Sequence, residues 1–546
     1  MKNLAGIICK ALVVLSLFLT SCSNNAKHLA IPTTDQVGAS HLPLEIAPIT
    51  GAPFEIPQLN RPVFPNLTVD IRKRGANENE AITDFVNNAI DYVSAQGGGT
   101  VMIPAGKWKS ARITLKSNVN LCIAEGAVVE FSGDVADWLP AVFTRHEGIE
   151  LLGAGAFIYA NGQNNIAVTG KGTIIGPEID SEVRRRTNTA ADVELDVPVS
   201  MPLAERLFDG MEGREFQPPR TIAPINCTNV FIEGITMNRS ALWNVVPTYC
   251  ENVVIRGITV NSIGIPRGDG IDIESSKNVL IEYCTLNCGD DCFALKSGRG
   301  KDGLRVGKPT ENVVIRYSLA KEGHGAITCG SETAGNIKNV YAHDCVFNGT
   351  WNGIRFKAYR SRGGGTENVL YERIRMINVN NVFVWDQLGS RRWIGNLADR
   401  LPIRQFNLLT PVLRNIHVKD FVVESSNTFI SANCIPESPL RNVVIENGMV
   451  TCKKLIPVLN DVAGFTLRHL TINAENYKIN ILDGQNILFD DVRFRLGPNE
   501  ISVNVLGELS ADIIFGSDGK QFVINNEKNR LILKDGRVNN VESYSN

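Results

Sequence analysis

Several things are scarce in this chain, and each absence removes a class of explanation. There is no excess of charge of one sign: 55 Lys and Arg stand against 57 Asp and Glu, a net charge of −2. Nucleic-acid-binding domains usually carry a strong basic surplus, so that class is excluded and any acidic ligand must be met by local cations. Beyond the first 21 residues no apolar run approaches the roughly 20 residues of a membrane span. Between the β-branched runs no stretch is long enough for a crossover helix, which excludes a doubly wound sheet and a (β/α) barrel. The leucine spacing of leucine-rich repeats is missing as well. Cys284, Cys288 and Cys292 sit four apart, but no His lies near them and the flanks are strand-like, so they read as small buried hydrophobes rather than metal ligands. No metal and no other cofactor is expected.

What is present begins with an export leader over residues 1–21: Lys2 and Lys10 supply positive charge, and residues 11–20 form an apolar stretch too short to span a bilayer. The run Leu19, Thr20, Ser21, Cys22 resembles a bacterial lipobox, in which cleavage leaves the Cys as the new N-terminus carrying lipid. The expectation is a monomer, soluble apart from a lipid on Cys22 that holds it to the membrane of a Gram-negative-type bacterium, in the periplasm or at the cell surface. Export permits disulfides, and of the 12 cysteines Cys9 leaves with the leader and Cys22 takes the lipid. Residues 22–65 hold prolines at 32, 43, 48, 53, 57, 62 and 65 without a sustained period and read as an extended tether.

Next, Ile82, Phe85, Val86, Ala89, Ile90 and Val93 share one helical face that ends at Gly97-Gly98-Gly99, predicting a short helix that caps an open end. The rest repeats. A phrase of Asn followed by alternating apolar residues recurs with Asn at 229, 252, 278, 312, 339, 368, 415, 442 and 486, at intervals of 23, 26, 34, 27, 29, 47, 27 and 44. The last interval halves if the degenerate copy at Gly464 is counted. A period in the twenties with β-branched strands means one coil per repeat, hence an all-β, right-handed parallel β-helix with coils about 4.8 Å apart and a buried Asn at each turn bonded to its copy one coil away. The catalytic solenoid is assigned to residues 66–411, and continuing coils with a C-terminal cap to 412–546. The long intervals 278–312 and 368–415, and the polar aperiodic stretch 177–222, are loops expected to wall a binding face.

Three successive coils carry a similar turn before a strand: Gly268-Asp269-Gly270, Gly289-Asp290-Asp291 and Gly323-His324-Gly325. A fourth carries Arg355-Phe356-Lys357. Aligned turns place Asp269, Asp290 and His324 in one ladder, with Arg355 and Lys357 one coil beyond. Asp and Gly are ordinary turn formers, but carboxylates stacked at coil spacing repel, and clustered like charges mark sites. Such a cluster suits glycosidic hydrolysis, with one carboxyl protonated to donate and ionised partners to activate water. The Arg fork and Lys point charge, alternating to one side of their strand, suit a uronate; ion pairing with the aspartates is the alternative. Asp290 and Asp291 reach the same side only if the chain turns or bulges there.

Gly-Asp-Asp-Cys, Gly-His-Gly and Arg-x-Lys, preceded by Asp-Gly-x-Asp, together resemble the polygalacturonases of glycoside hydrolase family 28 over about residues 67 to 385. The stretch AITDFVNNAIDYVSAQGGGTVMIPAGKW is also similar to that family. The resemblance implies an inverting hydrolase of α-galacturonosyl linkages in a pectic polysaccharide. Asp290 resembles the general acid, Asp269 and Asp291 the carboxylates that position and deprotonate water, His324 the residue that tunes the acid, and Arg355 and Lys357 the uronate-binding pair. Two positions depart: Arg267-Gly268 replaces Asn-Thr, and Phe356 replaces Ile. Arg267 adds a third cation at the catalytic turn, pointing to a decorated or mixed uronate polymer, and long walls favour exo attack. A Ca²⁺-dependent polysaccharide lyase and a non-catalytic pectin-binding solenoid are the alternatives.

Overall fold

A computed structural model describes residues 30–189, 193–495, 501–516, 522–526 and 531–533. The leader and Cys22 lie outside these. The chain winds into a right-handed parallel β-helix whose strands pair coil on coil in one continuous sheet. Three faces recur. The first, following each repeat Asn, runs through Thr228–Glu233, Glu251–Arg256, Lys277–Glu282 and Thr310–Arg316. A short second face holds Thr236–Asn238, Thr259–Asn261 and Thr285–Asn287. The third holds Ile271–Glu274, Phe293–Lys296, Gly325–Cys329, Asn352–Lys357 and Val379–Asp386.

In-register ladders explain why the repeat is β-branched. Val230, Val253, Val279, Val313, Val340, Val369, Ile416 and Val443 stack as successive partners, all buried. Each contributes on the order of 1.5–3 kcal/mol by leaving water. The asparagines do form the expected ladder: Asn252 Nδ2 donates to Asn229 Oδ1 at 3.2 Å, Asn278 to Asn252 at 3.1 Å, Asn312 to Asn278 at 3.1 Å and Asn339 to Asn312 at 3.0 Å. They are exposed or half-buried rather than buried. The reason is conformational: each sits at a corner with φ between 51° and 58°, a left-handed turn that Asn tolerates and that leaves its side chain on the coil's outer edge. Gly464, φ 79°, takes the ladder position between Asn442 and Asn486, so the long last interval is two coils.

The helix Thr83–Ala95 buries Val86, Ala89, Ile90 and Val93 against the first coils and ends at glycines with φ of 93°, 124° and 148°. Residues 30–65 depart from the tether expectation. They dock on the solenoid: the start, with 3₁₀ turns at Thr34–Gln36 and Ala39–His41, sets Val37 on Leu319 and Val346 of the second face, and the rest lies along the first face with Ile46, Ile49, Phe54, Ile56 and Phe64 packed on Phe231, Val254, Leu280, Val314 and Tyr341. Three arginines on different coils hold the segment's carbonyls: Arg375 Nε donates to Pro32 O at 2.8 Å, Arg256 Nη2 to Pro43 O at 2.8 Å and Arg316 Nη2 to Ala47 O at 2.7 Å. Prolines that offer no N–H suit a strap held through its carbonyls.

The predicted loops are present as walls. Residues 278–312 include the helix Gly300–Val306, 368–415 include Arg391–Ile394, and 177–222 include Glu182–Thr189 and Val193–Asp196. An antiparallel hairpin, Val142–His146 with Ile149–Gly153, adds a fourth projection that no repeat signalled. Toward the C-terminus, Phe522–Asn526 and Leu531–Leu533 still pair in the coil stack. The ten cysteines of the described residues are all unpaired thiols. No described helix is long and apolar enough to cross a membrane.

Candidate active site

The third face ends in a cleft of about 440 Å³ lined by Asp269, Asp290, Asp291, His324, Arg355, Lys357 and Arg267, so every site residue expected from the sequence in the solenoid reaches one cavity. Its internal register differs from the expected ladder. Ile271 pairs with Phe293, which carried two residues back sets Asp269 beside Asp291, and Gly270 N donates to Asp291 O at 2.9 Å. His324 N donates to Asp290 O at 2.9 Å. The two rows are therefore Asp269, Asp291, Gly325 and, beside it, Asp290, His324, with Asp290 diagonal to Asp269.

Asp290 and Asp291 precede the strand Phe293–Lys296 in a bend, which is how consecutive residues line the same cleft. The bend gives them unlike surroundings. Asp291 is 1% exposed and Asp290 is 31% exposed, with His324 Nδ1 3.5 Å from Asp290 Oδ1. A Cβ at Gly325 would run into Thr328 Oγ1 and lie 2.7 Å from Asp291 Oδ1, so a larger residue there would push on the side chains that hold Asp291.

The cations are distributed among the acids. Lys357 Nζ lies 2.8 Å from Asp291 Oδ2, whereas Arg355 Nη1 faces His324 Nδ1 at 3.3 Å. Both project from the same side of Asn352–Lys357. Burial opposes ionisation of Asp291, but Lys357 and then Arg355 outweigh it and hold the carboxyl well below the usual range. Asp269 goes the other way: burial first, then Asp272, push it well above the carboxylate range against the pull of Lys296. Arg267 does not stand alone as a third cation. Its Nη1 lies 2.7 Å from Glu147 Oε1, on the hairpin turn, and Arg299 Nη2 binds the same carboxylate at 3.1 Å.

Sequence reasoning missed Lys296, Glu147, Arg299, Glu332 and the aromatic walls Trp243, Tyr359 and Trp393. Lys296 Nζ reaches Asp269 Oδ2 at 3.1 Å and Asp272 Oδ1 at 2.6 Å, and its signal was the strand period, which places it opposite Glu274 one coil away. Glu147 had no signal, since its hairpin lies outside the repeat. Asp290, Asp291 and His324 offer donor atoms within 4.8 Å of one another, but a cation there would have to displace Lys357 from Asp291.

With the geometry in place, comparison with known proteins is informative. A family model described as Glycosyl hydrolases family 28 matches residues 211–392, which include every acid and base named above except Glu147. A probable polygalacturonase of Vitis vinifera is 28% identical over 394 residues, 71% of this chain and 74% of the relative. An exo-poly-alpha-D-galacturonosidase of Dickeya chrysanthemi is 23% identical over 320 residues, 54% of this chain and 52% of the relative. Among solved structures, a hyperthermoactive exopolygalacturonase from Thermotoga maritima superposes with a TM-score of 0.64 at 26% identity, covering 79% of this chain and 94% of that one.

Proposed function

We propose that the chain is a member of glycoside hydrolase family 28 and hydrolyses α-galacturonosyl linkages of a pectic polysaccharide with inversion, Asp290 acting as the acid and Asp269 with Asp291 serving the attacking water, a reading supported by the family match and the polygalacturonase relatives. The carrying observation is the contrast between solvent-facing Asp290 next to His324 and two buried carboxylates, one of them clamped by Lys357. Asp290 donates its proton to the glycosidic oxygen as that bond breaks. Water attacks the anomeric carbon from the opposite face and gives its proton to a buried carboxylate. His324 tunes the proton on Asp290. The diagonal offset of Asp290 from Asp269 supports inversion, for which the two groups must stand about 6.5–9.5 Å apart to admit a water.

Galacturonate carries a carboxylate, and Arg355 supplies the planar fork that matches it, with Lys357 behind. Exo attack is supported by the crowding of the cleft: Gly389, Ser390 and Trp393 line it from the 368–415 insertion, and Glu194 of the 177–222 insertion binds Arg362 of its wall at 2.6 Å. Arg267 lines the cleft while paired to Glu147, which supports a role in shaping the wall.

The test is Asp290→Asn assayed on separate homogalacturonan and rhamnogalacturonan fractions. Release of reducing ends should fall by roughly 10³-fold with unchanged circular dichroism and melting temperature. Near wild-type turnover by this variant sinks the assignment, a ladder of intermediate oligomers early in digestion sinks exo attack, and unsaturated ultraviolet-absorbing products would mark elimination instead.

A lipid on Cys22, a monomeric state, and a place in the periplasm or at the cell surface of a Gram-negative-type bacterium complete the proposal, supported by the leader composition and the lipobox. Labelling with a radioactive fatty acid, lost in Cys22→Ala, tests it.

A further inference from the structure

Most acids around the cleft have a cation that serves them first. Asp291 has Lys357, Glu147 has Arg267 and Arg299, and Glu332 has Arg299 at 3.4 Å. Glu274 faces Arg145 and Arg220. Asp269 and Asp272 are different, because both are buried and both turn to the ammonium of Lys296, at 3.1 and 2.6 Å, with Glu332 more distant from it at 3.9 Å. Lys296 is itself fixed. Its Nζ lies 3.4 Å from the centre of the Trp243 ring, and its carbonyl accepts from Ser275 N and Thr310 Oγ1.

We propose that Lys296 is a positioning residue for water activation, its ammonium drawing Asp269 toward its ionised form and holding it aimed into the cleft while Asp272 competes for the same charge. The inference rests on the reading of Asp269 as a water-activating carboxylate. A base must be ionised before it can take a proton, yet Asp269 is buried and surrounded by Asp272, Asp290 and Asp291, all of which disfavour its charge. Lys296 is the cation that counters them. Burial, partly offset by Lys296 and reinforced by Glu274 and Glu332, pushes Asp272 up to about 7, and the share of the ammonium that Asp272 holds at 2.6 Å is lost to Asp269. The proton abstracted from water resides on Asp269 and passes to solvent after the products leave. Lys296 is not consumed and exchanges nothing.

The experiment compares kcat, KM and pH profiles of the full chain with Lys296→Met, Lys296→Arg, Asp272→Asn and Asp269→Asn. Lys296→Met should lower kcat on the order of 10²-fold with KM within about threefold, and move the acidic limb of the kcat profile upward by at least about one pH unit. Lys296→Arg should restore most of kcat and return the limb. Asp272→Asn, which removes the competitor without removing the lysine, should move the limb downward, and it keeps the proposal testable if Lys296→Met fails to fold. An unmoved limb in both Lys296→Met and Asp272→Asn, or a raised KM at unchanged kcat in Lys296→Met, overturns the proposal. Substantial turnover by Asp269→Asn would instead overturn the reading on which it rests, so the two failures are told apart.

Discussion

Lys357 reaches back across two coils to Asp291, Nζ to Oδ2 2.8 Å. The lysine expected to bind substrate is thereby committed to a buried acid.

Lys357→Met should therefore act on stability as well as turnover. Leaving Asp291 charged and buried without its partner costs about 3–5 kcal/mol. Because the folded-state carboxyl is held below its unfolded value, the pair's contribution is present above the unfolded value near pH 4 and is lost as pH falls further toward the folded one. Denaturant titrations at pH 7 and pH 3 check this: the gap between wild type and variant should narrow at pH 3, and an equal gap contradicts it.

Asp269→Asn should do the opposite to the fold. Its carboxyl is raised, so its ionised form costs stability at any pH above the unfolded value near 4, increasingly until the folded value is passed. The variant should lose turnover by roughly 10³-fold and melt at a higher temperature, with the advantage larger at pH 7.5 than at pH 5. A lower melting temperature at pH 7.5 would refute the electrostatic account.

Arg355→Gln separates binding from chemistry. With Lys357 committed to Asp291, the guanidinium is the fork left for a uronate, so KM should rise about tenfold or more while kcat changes less. A kcat defect at constant KM would instead indicate that Arg355 acts through His324, 3.3 Å away.

At the ladder, Asn278→Ala should cost about 1–2 kcal/mol more than Asn278→Gly, since φ is 55° and only the first substitution forces a Cβ into a left-handed turn. Gly464 already occupies the equivalent corner. Equal destabilisation of the two variants would show that the side-chain hydrogen bonds, not the corner conformation, select Asn.

How much of this was legible depended on whether the signal was periodic. The coils and the doubled last interval followed from Asn spacing and β-branched alternation, because a stacked solenoid imposes its period on the sequence, and the helix Thr83–Ala95 followed from its own apolar face. The rows of the site were misread by one residue because similar turns were aligned on their glycines. Aligning the strands instead, Ile271 with Phe293, sets Asp269 against Asp291. Arg267 was read as a free third cation because its partner Glu147 comes from a hairpin outside the repeat. The docking of residues 30–65 was hidden by their lack of period, and the trace it left was an arginine after the apolar strand run, at Arg256 and Arg316, each of which serves the strap's carbonyls as well as Glu282.

That docking changes the mechanics of attachment. Among the described residues, contact with the solenoid starts at Ile31, whose carbonyl meets Arg375, and residues 23–30 lie between it and Cys22 in the sequence. Fully extended, eight residues reach at most about 29 Å. With Cys22 as the proposed lipid site, this bound limits how far the Ile31 end of the solenoid can stand from the bilayer.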